Sequence, residues 1–89
     1  MTKEITLNIQ NQAGVHARPA AMLAQKAAEF KSQILLHKSD RQANAKSIIS
    51  IMGLGIQCGD QITLKVEGPD AEVALGALTQ LVNGKFGEA

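Results

Sequence analysis

The 89-residue chain reads as a two-layer α/β fold, an open-faced β-sandwich in which a four-stranded, mostly antiparallel sheet carries three helices on one face, in the order βαββαβα. Three observations predict it. Apolar residues alternate at Ile5, Leu7 and Ile9 and again at Ile62, Leu64 and Val66, the period of half-buried strands. The stripes Ala20, Leu23, Ala24, Ala27, Phe30 and Ala74, Leu75, Leu78, Leu81, Val82 have helical spacing. The chain is also short enough that residues 1–89 are expected to form a single domain, its one core burying roughly two-thirds of the unfolded surface.

Each element has its own signal. Glu4, Thr6 and Asn8 give the first strand a wet outer face, and Asn11, Gln12 and Gly14 break the alternation before a helix starts near Ala17. Gln25, Lys26 and Glu29 form that helix's polar side. Ile34 and Leu36 mark a second strand, and the polar turn from Lys38 to Arg41 returns into a weaker strand at Gln42 to Ala45. Ser47 is a candidate N-cap for a short helix from Ile48 to about Met52, limited by Gly53 and Gly55. The strand through Ile62, Leu64 and Val66 ends at Gly68-Pro69. Asp70 is a good capping residue for the last helix, and Gly84 is its stop.

Composition excludes several functions. Hydrophobic residues make up 45% of the chain, but Phe30 and Phe86 are its only aromatics, so the core must be aliphatic and there is no platform for stacking bases. A net charge of +1 gives no long-range field for nucleic acid or an anionic membrane. The single cysteine, Cys58, cannot form an internal disulfide, and the first residues lack the apolar centre of a secretory signal, so a cytoplasmic location is expected. The longest nearly apolar stretch, Ile48 to Ile56, is about half the roughly 18 residues of a membrane span. No membrane insertion is expected.

Chemistry is concentrated in Gly14-Val15-His16-Ala17-Arg18-Pro19-Ala20. A histidine at or beside the N-cap lies next to backbone N–H groups without helical partners, where the helix dipole favours an anion. Arg18 adds a guanidinium fork suited to phosphate oxygens, and Pro19 fits the first turn, where a missing N–H costs little. The positive helix end is expected to push His16 toward its neutral, nucleophilic form. A phosphoryl group on that ring would be held by a labile N–P bond, which suits a carrier.

The Gly14 to Ala20 stretch resembles the active-site motif of the HPr family, the histidine-containing phosphocarriers of the bacterial phosphoenolpyruvate-dependent sugar phosphotransferase system. Ala45-Lys46-Ser47-Ile48 resembles that family's serine-site motif, and the Glu67-Gly68-Pro69-Asp70 entry to the last helix also agrees. The resemblance implies that His16 accepts phosphate on Nδ1 from phosphorylated enzyme I and hands it to enzyme IIA components. Arg18 would neutralise the group while the Ala17 and Arg18 amides hold its oxygens. No metal or organic cofactor is implied, and a monomer is expected. The phosphoryl group itself derives from phosphoenolpyruvate through enzyme I.

Ile48, Ile49, Ile51, Met52, Leu54 and Ile56 are too many apolar residues for one buried face. Ile48, Met52 and Ile49 are therefore expected to form a docking patch for partners beside His16, extended by Met22; the alternative is a segment tucked under loops. Capping alone accounts for Ser47, and the resemblance adds phosphorylation by HPr kinase/phosphorylase. The family's kinase-recognised version commonly has Ile-Met where this chain has Ile48-Ile49. His37 reads as a solvent-facing strand residue, and His16, His37 and Cys58 lack metal-ligand spacing.

Two rival readings remain open. One is NPr, the nitrogen-related paralogue, whose C-terminal region resembles Val82-Asn83-Gly84-Lys85-Phe86; the Ala45 to Ile48 motif favours the sugar branch. The other is a regulatory binding module of the same fold that transfers no phosphoryl group. A relative of that kind lacks the histidine that this chain keeps at His16.

Overall fold

The computed structural model describes residues 1–88. Its elements are β1 (Thr2–Asn8), α1 (Ala17–Ala27), β2 (Gln33–Lys38), β3 (Arg41–Asn44), α2 (Ile48–Met52), β4 (Gln61–Glu67) and α3 (Ala71–Asn83), followed by a 3-10 turn at Lys85–Gly87. The four strands form one sheet in the order β1-β4-β2-β3, with every neighbouring pair antiparallel. The three helices lie on one face, as the sequence predicts.

Register follows from the alternation. Ile5 pairs with Leu64, Leu64 with Leu36, and Leu36 with Ala43, a row of apolar side chains crossing the whole sheet on its helical face. Ile34 pairs with Val66, and Leu7 with Ile62. Slipping any strand by one residue would turn this row into water, so burial holds the register. Thr6, Thr63 and His37 form the adjoining row on the open face, where the two threonine hydroxyls lie 3.0 Å apart. Leu23, Ala24 and Ala27 from α1, Ile51 from α2, and Ala74, Leu78 and Val82 from α3 close the core.

The boundaries differ from the sequence reading where local bonds outweigh periodicity. α1 stops at Ala27, and Phe30 packs partly buried against the core from the following loop. That loop is held by Lys46, whose Nζ donates to the Phe30 carbonyl at 2.8 Å. The third strand begins one residue earlier than predicted, at Arg41. Ile9 is buried but lies beyond β1, bonded through its amide to the Asp60 carbonyl at 2.9 Å. His37, expected in solvent, is half-buried in a shallow depression with Thr6, Lys38, Asp60 and Thr63, and its Nε2 is covered.

Asp70 occupies the N-cap of α3, yet its carboxylate makes no cap bond. It instead accepts from the amides of Lys31 and Ser32, both at 2.9 Å, and from the Ser32 hydroxyl. The last helix is thereby tied to the α1–β2 loop. These donors, the Ser32 hydroxyl first and the Lys31 amide next, hold the Asp70 carboxyl below its ordinary 3.8. Asp60 is lowered likewise by the Gln57 amide and then by Lys38, whose ammonium is 2.9 Å away.

Both aspartates bind protons more weakly in the folded than in the unfolded chain. Their stabilisation is therefore complete above about pH 4 and is lost as acidification passes through the depressed folded values. Urea midpoints measured from pH 7 to pH 2 should fall in that acid range. Asp70→Asn should be less stable than wild type at neutral pH and decline less steeply with acid; parallel curves would contradict the Asp70 contribution.

Candidate functional site

The site begins with a turn that only glycine accommodates. Gly14 has φ +69°, and a Cβ there would come within 2.6 Å of the Ile56 carbonyl oxygen and 2.8 Å of the Gln57 Cα. The Gly14 amide donates to the Asn11 carbonyl, and the Val15 amide to the Ile56 carbonyl, each at 3.0 Å. Val15 is buried. The loop is thus clamped against the segment after α2 immediately before it delivers His16.

His16 is the N-cap of α1, in extended backbone, and its carbonyl accepts the first helical bond from the Ala20 amide at 2.9 Å. The side chain makes no cap bond and is 43% exposed. Pro19 brings no N–H, so the amides of Ala17 and Arg18 are the donors at the start of the helix, with no acidic residue in its first turn. Arg18 is exposed. The ion pairs among the described residues join His16 to Glu88, Lys26 to Glu29, Lys38 to Asp60 and Lys65 to Glu4, which leaves the Arg18 guanidinium available to an incoming anion.

Glu88 is a site residue that sequence reasoning missed. Its Oε2 lies 3.1 Å from His16 Nε2, and its Oε1 accepts from Asn11 Nδ2 at 3.1 Å. Asn11 is fully buried and also donates to the Gly14 carbonyl at 2.6 Å. The ring of the N-cap residue is therefore paired with a carboxylate. One signal for this was available: Phe86, one of the two aromatics, follows the stop of the last helix. It is buried and anchors the turn that brings Glu88 back to His16.

The neighbouring apolar surface belongs to α2, which packs against α1. Ile51 is buried, whereas Ile48 and Met52 are exposed and Ile49 is 85% exposed. Met22 is partly buried against the core, so it adds less to this surface than expected. Ser47 caps α2 through its hydroxyl, which accepts from the Ser50 amide at 3.2 Å. Arg41 donates to the Gly53 carbonyl and Lys38 to the Gly55 carbonyl, tying down the C-terminal end. His37 and the exposed Cys58 are not gathered with His16, and no cluster of three His, Cys, Asp or Glu side chains is present among the described residues. Nor is any helix among them long and apolar enough to cross a membrane.

Comparison with known proteins bears on this arrangement. The family model PTS-HPr, described as the PTS HPr component phosphorylation site, matches residues 3–84. The chain is 46% identical over 83 residues to a phosphocarrier protein HPr of Treponema pallidum, covering 93% of this chain and 94% of that one. It is also similar to the crystal structure of an HPr from Thermoanaerobacter tengcongensis, with a TM-score of 0.94 and 48% identity over 98% of each chain. A further similar structure is Crh, the Bacillus subtilis catabolite repression containing protein, described as an intertwined dimer with a swapping domain. It has a TM-score of 0.76 and 35% identity, covering 89% of this chain and 91% of that one.

The clamp at Gly14 can be tested directly. Gly14→Ala should lower unfolding free energy by about 1–3 kcal/mol from the left-handed backbone alone, with the close approach to Ile56 adding to it. Urea denaturation measures the loss, and a change below about 0.5 kcal/mol would mean that the loop adapts.

Proposed function

The chain belongs to the HPr family of phosphotransferase-system phosphocarriers, and from that premise we propose that His16 accepts a phosphoryl group from phosphorylated enzyme I and passes it to enzyme IIA components during sugar uptake. The observation that carries this reading is the setting of His16. It is an exposed imidazole at a helix start whose two amide donors and neighbouring guanidinium have no competing acidic residue in the first turn.

The chemistry needs little from the carrier. The Nδ1 lone pair attacks phosphorus in line as the donor's N–P bond breaks. The Ala17 and Arg18 amides and the Arg18 guanidinium then meet the phosphoryl oxygens. Because the group passes between histidines, the two states are close in energy and transfer is reversible. The proposal includes a cytoplasmic, monomeric carrier that turns over no substrate of its own and needs no resident metal or organic cofactor.

Ile48, Ile49 and Met52 are the docking surface in this reading. Met52 is suited to several partners because its thioether side chain is unbranched and flexible. Phosphorylation of Ser47 by HPr kinase/phosphorylase would put a dianion at the start of α2 and repel an acidic or phosphorylated partner.

Incubation with phosphoenolpyruvate, magnesium and either the sugar-system enzyme I or its nitrogen-system paralogue tests the proposal. Acid-labile phosphate should appear on the intact chain preferentially from the sugar-system donor and vanish in His16→Ala, with stability changed by about 1 kcal/mol or less. Retained labelling in that variant would overturn the role of His16. Preference for the other donor would assign the chain to the NPr branch, and no label from either would favour a binding module.

The docking surface has a separate test. Ile49→Glu should leave stability within about 0.5 kcal/mol, since the side chain is exposed, while slowing labelling at low donor concentration. Unchanged labelling would remove Ile49 from the interface.

A further inference from the structure

Glu88 is the group at the site that phosphoryl carriage as described leaves without a part. Its two oxygens are divided between His16 Nε2 and Asn11 Nδ2, each at 3.1 Å. A carboxylate offers only acceptors, so the ring nitrogen facing it is the one that carries a proton, and in the neutral ring Nδ1 is then the nitrogen with the lone pair. Glu88 is itself held. Its side chain is 20% exposed, less than half the exposure of the His16 side chain, and it follows the turn anchored by buried Phe86.

Asn11 explains how the carboxylate is aimed. Asn11 is fully buried, and its Nδ2 joins the Gly14 carbonyl, 2.6 Å away, to Glu88, while its Oδ1 has no hydrogen-bond partner among the described residues. One side chain thus links the turn before His16 to the tail behind it.

We propose that Glu88, aimed by Asn11, is a positioning residue for phosphoryl transfer that fixes the proton on His16 Nε2, presents Nδ1 as the nucleophile and faces the positive charge of the phosphorylated ring. The inference rests on the phosphocarrier reading. When Nδ1 attacks, its lone pair forms the new N–P bond, and the electron pair of the breaking bond returns to the donor. The Nε2 proton stays in place, so the phosphorylated ring is cationic and Glu88 lies against it. On transfer to the next acceptor, the N–P electron pair returns to Nδ1 and the ring is neutral again, with the same proton still on Nε2. No proton has to enter or leave in either step.

The test uses the full chain, with Glu88→Ala, Glu88→Gln and Glu88→Asp, and reads two quantities. Nitrogen-15 NMR of the His16 ring reports which nitrogen bears the proton, and rapid-quench labelling from phosphorylated enzyme I reports the acceptance rate. Glu88→Ala should release the ring into a mixture of tautomers and slow acceptance about three- to tenfold, a range discounted for partial exposure. Glu88→Gln, which keeps an acceptor and loses the charge, should retain the Nε2–H form and still be slow. Glu88→Asp should recover part of the rate. Thermal unfolding confirms that each variant is folded.

Wild-type acceptance with a Glu88→Ala variant unaltered in rate and tautomer would overturn the inference alone. A slower Glu88→Ala variant with the wild-type ring tautomer would overturn it too. A wild-type chain that accepts no phosphate from either donor would overturn the phosphocarrier reading, and this inference with it.

Discussion

The lack of room at Gly14 is the constraint on which the site depends. The backbone there passes so near Ile56 and Gln57 that any Cβ would overlap the carbonyl oxygen at 2.6 Å, and the next residue, Val15, bonds that same carbonyl. Two segments far apart in sequence are thereby locked together one residue before His16. Because His16 is the N-cap of α1, the same clamp sets the direction of the helix's first amides. The geometry of the candidate site thus comes from backbone packing.

From that clamp the electrostatics follow. Pro19 removes an N–H that the helix start would otherwise expose, leaving Ala17 and Arg18 as donors, so an anion has a defined seat. The Glu88 carboxylate lies 3.1 Å from Nε2 of a ring whose residue caps the helix start, with Arg18 two residues further on. The contact with Glu88 orients the imidazole without burying it. An exposed ring can meet a partner, and an oriented one loses little rotational freedom when it does.

Sequence periodicity made most of the fold legible, because the strands are half-buried and the helices carry one stripe each, so each pattern has a single spatial solution. It failed where a side chain serves a distant segment. Asp70 had the composition of a cap, but the donors of Lys31 and Ser32 captured its carboxylate. Asn11 looked like a turn former and is a buried bridge. The place of His16 at the N-cap of α1 was legible because the local context, with Gly14 before it and Pro19 in the first turn, marks a helix start. Glu88 was not, since 72 residues separate it from its partner and the path between them depends on the left-handed turn at Lys85 and Phe86, with φ 56° and 54°.

The exposed apolar surface of α2 completes the physical argument. A five-residue helix is too short to persist on its own, so its position must be supplied from outside. Ile51 and the following Leu54 and Ile56 insert into the core, Ser47 caps one end, and Arg41 and Lys38 reach the carbonyls at the other. With so many ties, Ile48, Ile49 and Met52 are not needed for folding, and their exposure to water is a cost that folding alone does not explain. The segment that follows α2, at Ile56 and Gln57, is the one clamped to Gly14. The exposed face of α2 and the N-cap residue His16 are therefore held in one frame, by the packing of α2 on α1 and by that backbone contact.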